Sequence, residues 1–259
     1  MAKTDAFPEI ERELRYFPAN TNELQTLSKD KIQQFNDKGF ICPLDVYSSS
    51  ETKTNRETFD KLIKETTSKG GDSYSINGWH RTHAAVHDIV TDKRIVNYVQ
   101  DVIGENVICW GTHYFCKMPN DDKRVSWHQD ATYMGMTSNN FITPWIALTP
   151  STKEMGCMAM IPGSHKQDIL AHQDTFAENN ILTRGQFVKN VDEKKAENLI
   201  LKPGEMSIHH GSVIHGSKPN KSKQRRIGFA LQSYCSHSIN QIIGKNIWLH
   251  IRGRKRDDL

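Results

Sequence analysis

The feature that most constrains the fold is a change of pattern near residue 106. Before it, apolar side chains recur at helical spacing, as they do from Ile95 to Val102. After it, the stretch VICWGTHYFCKM at 107–118 is rich in aromatic and β-branched residues and ends at the turn cluster Pro119–Asp122. Helices followed by many short strands predict an α+β chain whose strands close into a sandwich or barrel.

Individual elements can be placed from caps and turns. The stretches Ser48–Thr54 and Ser68–Ser75 are rich in Ser, Thr, Gly and Asp and are predicted as loops. Helices are predicted between Ser28 and Gly39, over Thr58–Thr67 and over Asp92–Val102. Further strands are predicted at 141–148, 158–161, 205–209 and 226–234. We expect one domain over 1–259, with a helical part to about 104 and a strand-rich core over about 105–240.

Composition limits the class of protein. No segment approaches the roughly 20 apolar residues of a membrane span, and the acidic N-terminus is unlike a secretory signal, so a soluble cytoplasmic protein is expected. Five cysteines without CxxC spacing predict reduced thiols. The net charge of +4 is modest, and its basic tail, Arg252–Arg256, lacks interleaved aromatic residues, so no nucleic-acid partner is expected. Oligomeric state is not predicted by any of these features.

The stretch VSWHQDATY contains the first two candidate metal ligands, His128 and Asp130. On an extended chain, side chains two residues apart lie on one face, so this pair can chelate one ion. Two histidines and one carboxylate on one face of an ion leave positions open, as in Fe(II) oxygenases. An HxD triplet is weak evidence alone, so the third ligand decides the prediction.

Three histidines, His209, His210 and His215, compete for the third position. We favour His215, partly because Arg226 follows it beyond a turn, at the start of the next predicted strand. An Arg that returns to the site from a neighbouring strand can hold a dicarboxylate through a bidentate, charge-assisted pair. A histidine at a strand end that is not a ligand is expected to hydrogen-bond nearby groups.

Taken together, WHQD, the stretch Trp145–Leu148, GCMAMIPGSH, and PGEMSIHHGSVIHGSKPN with RRIG resemble the phytanoyl-CoA dioxygenase family of Fe(II)/2-oxoglutarate oxygenases. The similarity covers roughly Leu27 to Tyr234. It implies a double-stranded β-helix, or jelly-roll, core with flanking helices. It also implies a hydroxylase that uses Fe(II), with 2-oxoglutarate and O₂ as cosubstrates.

The resemblance also implies roles for individual residues. His128, Asp130 and His215 match the iron ligands, and Arg226 and Trp145 match positions that bind 2-oxoglutarate. Related halogenases have a small residue in place of the carboxylate, so Asp130 favours hydroxylation.

Within the family, GTHYFCK, TPSTKEMGCMAMIPGSH and HQDTFAENNILTRGQ resemble a bacterial branch that hydroxylates aminoalkyl phosphonates such as 2-aminoethylphosphonate. Arg184 and Arg81 are candidates for holding such an anion, because planar guanidinium donors match tetrahedral oxyanions. Tyr133 is expected near the iron. Amino acids, quaternary amines and acyl-CoA thioesters are alternative substrates, and a non-catalytic metal-binding cupin or a zinc hydrolase is an alternative class.

Overall fold

A computed structural model describes residues 11–74, 76–132, 134–167, 169–175, 177–182, 186–236, 239 and 248–253. Within these ranges the helices are α1 (Lys29–Lys38), α2 (Ser49–Ser68), α3 (Ala84–Val90) and α4 (Lys93–Ile103). The strands are β1 (Phe40–Asp45), β2 (Val107–Lys117), β3 (Val125–His128), β4 (Phe141–Ala147), β5 (Met158–Met160), β6 (His172–Asp174), β7 (Gln186–Val188), β8 (Glu197–Asn198), β9 (Glu205–His210), β10 (His215–Ser217), β11 (Arg226–Ser236) and β12 (Leu249–Arg252).

The caps explain where the first two helices begin and end. Ser28 accepts a hydrogen bond from the backbone of Lys31, and Gly39 ends α1 at a φ of 85°, which a glycine adopts without strain. The loop predicted at Ser48–Thr54 is wrong, because α2 already begins at Ser49. Ser48 and Glu51 form a capping box that satisfies the first backbone N–H groups.

The strands form two main antiparallel sheets and a small pair. The six-stranded sheet has the order β1-β9-β4-β11-β2-β12, and the four-stranded sheet has the order β3-β10-β5-β8. β6 pairs with β7. This arrangement confirms the predicted mixed fold with a jelly-roll core. β1, which lies in the part predicted to be helical, joins the main sheet by pairing with β9.

Alternation along β11 separates two cores. Ile227, Phe229 and Leu231 pack in the larger core with the helices, on the outer face of the six-stranded sheet. Ala230 points inward and packs with Trp145, between the sheets. Burying one such large apolar side chain contributes about 1.5–3 kcal/mol, so the helices fix the sheet that carries the interior side chains. Searched over its described residues, the chain has no helix that is long and apolar enough to cross a membrane.

Candidate metal centre

Three side chains converge where β3, at the edge of the four-stranded sheet, pairs with β10. His128 ends β3, and His215, its register partner, begins β10. The strand does not continue to Asp130, which starts a short 3-10 turn at Asp130–Thr132. The strand expected to carry both residues of the HxD pair therefore ends two residues before Asp130, yet His128 Nε2 lies 3.4 Å from Asp130 Oδ1. One donor atom from each of the three residues lies within 4.8 Å of the other two.

Backbone carbonyls fix the orientation of both imidazoles. His128 Nδ1 lies 2.8 Å from the carbonyl of Ser126, and His215 Nδ1 lies 3.0 Å from the carbonyl of Val213. A neutral imidazole that donates through Nδ1 presents its Nε2 lone pair to the cavity. A metal-ligating histidine has this arrangement.

Gln129, the residue between the two ligands of the HxD pair, holds the ligand-bearing segments together. Its side-chain amide donates to the carbonyl of Ser212 at 2.8 Å, and its side-chain oxygen accepts from the backbone of Leu170 at 2.8 Å. Its own backbone N–H donates to His172. The segment before His215 is thereby bonded directly to the segment that carries His128 and Asp130.

The charges in this cluster suit a cation. Burial lowers the pKa of His215 well below its ordinary value, so its imidazole is neutral at pH 7. Burial by itself would raise the pKa of Asp130, but His215, His128 and His209 outweigh it and hold that pKa well below its usual range. The cluster therefore offers two imidazole nitrogens and one carboxylate, a donor set suited to a divalent ion.

The other two competing histidines have different surroundings. His210 points away from the cluster, packs edge-on against Tyr16, and accepts a hydrogen bond from the backbone of Ser212 through Nδ1. Burial lowers the pKa of His210 to about 3. His209 points toward the cluster, with Nε2 3.7 Å from Asp130 Oδ2. The structure therefore places His215, and not His210, beside His128 and Asp130.

A cavity of about 320 Å³ opens beside the three residues. Arg226 lines it and is 2% exposed. Burial lowers the pKa of Arg226, and its guanidinium carbon lies 5.2 Å from the centre of the Trp145 ring. Its Nε and Nη1 have no hydrogen-bond partner within the described ranges. Buried guanidinium N–H groups without partners are costly, so this end of the cavity is built for an anion.

A second buried cation lies next to Arg226. Lys117 on β2 is the register partner of Arg226 and is 0% exposed. Its amine donates to the hydroxyl of Ser217, which lines the cavity two residues after His215. Burial, with Arg226 as a smaller cause, lowers the pKa of Lys117 to about 6.

Of the residues predicted to bind substrate, the structure places one outside the cavity and leaves two untested. Arg81 is exposed on the short 3-10 turn Trp79–Arg81 and does not line the cavity. Tyr133 and Arg184 lie outside the described residues.

Sequence reasoning did not assign several polar groups that line the cavity. His113 stacks on Phe115 at 4.1 Å, and burial lowers its pKa to about 4. Had the strands been known, the alternation of their side chains between the inner and outer faces would have identified these positions. Buried atoms there without a partner in the described chain are Trp110 Nε1, His113 Nε2, Thr143 Oγ1, and both ring nitrogens of His209.

The chain matches the family model described as Phytanoyl-CoA dioxygenase over residues 35–228. It is 31% identical over 167 residues to the probable alpha-ketoglutarate-dependent hypophosphite dioxygenase of Stutzerimonas stutzeri, covering 64% of this chain and 58% of that protein. It is 23% identical over 226 residues to the peroxisomal phytanoyl-CoA dioxygenase of Bos taurus, covering 78% of this chain and 67% of that one. The match thus spans little more than half of the first relative's length.

Solved structures share the fold. The non-heme monooxygenase ThoJ in its apo form superposes with a TM-score of 0.76 at 25% identity, covering 86% of this chain and 84% of that chain. EctD from S. alaskensis, solved with 2-oxoglutarate and 5-hydroxyectoine, superposes with a TM-score of 0.70 at 18% identity, covering 88% and 84%. The second likeness concerns the fold alone.

Proposed function

Since this chain belongs to the phytanoyl-CoA dioxygenase family, we propose that it is an Fe(II)/2-oxoglutarate-dependent dioxygenase that hydroxylates a C–H bond of a small polar substrate. One observation carries the proposal: the cavity joins a cluster of two histidines and one aspartate to a buried Arg226 with free N–H groups. A metal site and an anion site in one cavity fit an ion together with a dicarboxylate.

Each residue has a role in this proposal. His128, Asp130 and His215 hold Fe(II), which when bound supplies the activation of O₂ with oxidative decarboxylation of 2-oxoglutarate to succinate and CO₂. Arg226 binds the far carboxylate of 2-oxoglutarate, and Trp145 holds the guanidinium in place. The apolar walls of the cavity exclude water and orient the target carbon.

For the substrate we propose an aminoalkyl phosphonate such as 2-aminoethylphosphonate. The cavity of about 320 Å³ is at the lower end of the ~300–1,000 Å³ typical of ligand sites and must also take the cosubstrate, which disfavours an acyl-CoA thioester. Its lining carries the indole N–H of Trp110, a buried donor without a partner in the described chain, which suits a small polar anion. A cytoplasmic location is also proposed, and five free cysteines support a reducing compartment.

A second candidate substrate is hypophosphite, with oxidation of a P–H bond in place of a C–H bond. The relative at 31% identity, a probable hypophosphite dioxygenase, favours it. Hypophosphite shares the tetrahedral oxyanion of a phosphonate and lacks its amine, so the two candidates can be separated directly.

The test is substrate-dependent formation of succinate. The anaerobic protein with Fe(II) and 2-oxoglutarate is mixed with aminoalkyl phosphonates, hypophosphite, quaternary amines, amino acids or acyl-CoA thioesters, and succinate is measured after O₂ is added. We expect stimulation by a phosphonate that is lost in Asp130→Ala. Stimulation by hypophosphite alone would replace the phosphonate proposal, and no stimulation by any compound would reject the hydroxylase.

The ligand assignment has its own test in a pair of adjacent histidines. We expect His215→Ala to lose Fe(II) binding and turnover, whereas His210→Ala keeps Fe(II) binding, because the His210 ring points away from the cluster. The opposite pattern would show that the third ligand is His210.

A further inference from the structure

His209 is a buried histidine to which the proposed function gives no role. It lies on β9, is 2% exposed, and lines the cavity. Neither ring nitrogen has a hydrogen-bond partner within the described part of the chain. Its ring centre lies 4.7 Å from that of His215, and its Nε2 lies 3.7 Å from Asp130 Oδ2.

The neighbouring histidines each have at least one hydrogen-bonded ring nitrogen. His210 accepts from the backbone of Ser212, and His172 lies 2.8 Å from the carbonyl of Leu170. A buried ring with two unpaired nitrogens costs free energy unless it meets a further group. His209 therefore has a geometry suited to a partner that comes into place when the site is loaded.

The carboxylate of Asp130 presents its two oxygens to different neighbours. Oδ1 faces His128 and His215, with Nε2 atoms at 3.4 and 4.0 Å. Oδ2 faces His209. Once Oδ1 binds the metal proposed above, Oδ2 stays buried on the side of His209, and a carboxylate oxygen can accept more than one hydrogen bond. His209 Nε2 is 3.7 Å away, a distance that a small rotation of either side chain shortens to a hydrogen bond.

We propose that His209 is a positioning residue for the metal centre, donating from Nε2 to Asp130 Oδ2 so that the carboxylate binds the ion through Oδ1 alone. This inference rests on the proposed function, because it assumes a metal on His128, Asp130 and His215. His209 is not a fourth ligand in it: the described donor atoms that lie mutually within 4.8 Å come from those three residues.

The test compares His209→Leu with His209→Gln, using Co(II) absorption titrations of metal-free protein. Leucine keeps the apolar volume and removes the donor, and the dissociation constant for Co(II) should rise roughly 10- to 100-fold, the usual loss when a group orienting a metal ligand is removed. Glutamine places an N–H at a similar reach and should restore most of the affinity.

Thermal unfolding of the metal-free variants separates a positioning role from a structural one. Because His209 has two unpaired nitrogens in the metal-free fold, the Tm of His209→Leu should equal or exceed that of the wild type. Ser207→Ala is the control on the same strand: Ser207 is 0% exposed, does not line the cavity, and should leave Co(II) affinity unchanged.

The outcomes distinguish the inference from the function on which it rests. Unchanged Co(II) affinity in His209→Leu, together with lost affinity in His215→Ala, would overturn the role of His209 alone. Unchanged affinity in both variants would overturn the metal site itself. A fall in the metal-free Tm of His209→Leu, with affinity lost equally in His209→Gln, would show that His209 is structural.

Discussion

Replacing Arg226 by Met tests the anion site most directly. The side chain is 2% exposed, its Nε and Nη1 have no partner in the described chain, and its guanidinium lies 5.2 Å from the Trp145 ring centre. The ligand-free protein therefore carries a buried cation that no described carboxylate neutralises. Methionine fills much of the same volume without the charge.

The substitution should change two quantities in opposite directions. Removing one partner of a buried, hydrogen-bonded charge pair costs about 2–5 kcal/mol, which weakens 2-oxoglutarate binding by roughly 30- to 5,000-fold. Replacing a buried charge by an apolar group of similar volume is neutral or stabilising by about 1–4 kcal/mol. The ligand-free Arg226→Met protein should thus unfold at the same or a higher temperature than the wild type.

The assay is an anaerobic titration of the Fe(II) protein with 2-oxoglutarate, followed by its visible charge-transfer absorption, beside thermal unfolding of the ligand-free protein. Arg225→Met is the matched control: its guanidinium pairs with Asp60 at 2.9 Å on a partly exposed surface. Losing this ion pair costs about 0.2–1 kcal/mol of stability and should leave the affinity for 2-oxoglutarate unchanged. Equal 2-oxoglutarate affinities in wild type and Arg226→Met would refute the reasoning.

Two further predictions concern the neighbours of Arg226. Burial lowers the pKa of Lys117 from 10.5 to about 6, so between these values the unfolded chain holds a proton that the folded chain lacks. The stability of the ligand-free protein should rise with pH in this window. In thermal unfolding measured at several pH values, Lys117→Met should reduce the dependence of stability on pH. An unchanged dependence would show that Lys117 is charged in the folded protein. At Gly228, an added Cβ would overlap Trp145 Cζ2. Gly228→Ala should therefore displace the Trp145 ring and cost about 1–3 kcal/mol of stability. It should also weaken 2-oxoglutarate binding. Wild-type stability together with wild-type 2-oxoglutarate affinity would contradict this prediction.

The sequence predicted those helices and strands that are marked by capping residues or by alternation within the element itself. Ser28 and Gly39 mark both ends of α1, and the alternation of 226–234 identifies most of β11. The start of α2 was missed because its Ser- and Thr-rich first turn has the composition of a loop, although Ser48 and Glu51 form a capping box that the sequence displays. β10, with three residues, is too short to show any period.

The sequence predicted those site residues that belong to continuous sequence motifs. His128, Asp130 and His215 follow from spacing and resemblance, and the structure brings them together. Lys117 was not predicted, because its relation to Arg226 depends on the register of two strands that are distant in sequence. Arg81 was expected from its charge alone, and its exposed 3-10 turn lies apart from the cavity.

The pairing of β1 with β9 has a consequence for synthesis of the chain. Phe40 pairs with His209, so β1 leaves the ribosome well before β9 and finds this neighbour only after most of the barrel has been made. Until then β1 is an unpaired apolar segment, and until β1 docks, β9 has an open edge next to His209 and His210. Contacts of such long sequence separation slow folding. β9, which carries His209 beside the metal centre, is therefore covered late, when β1 closes over it.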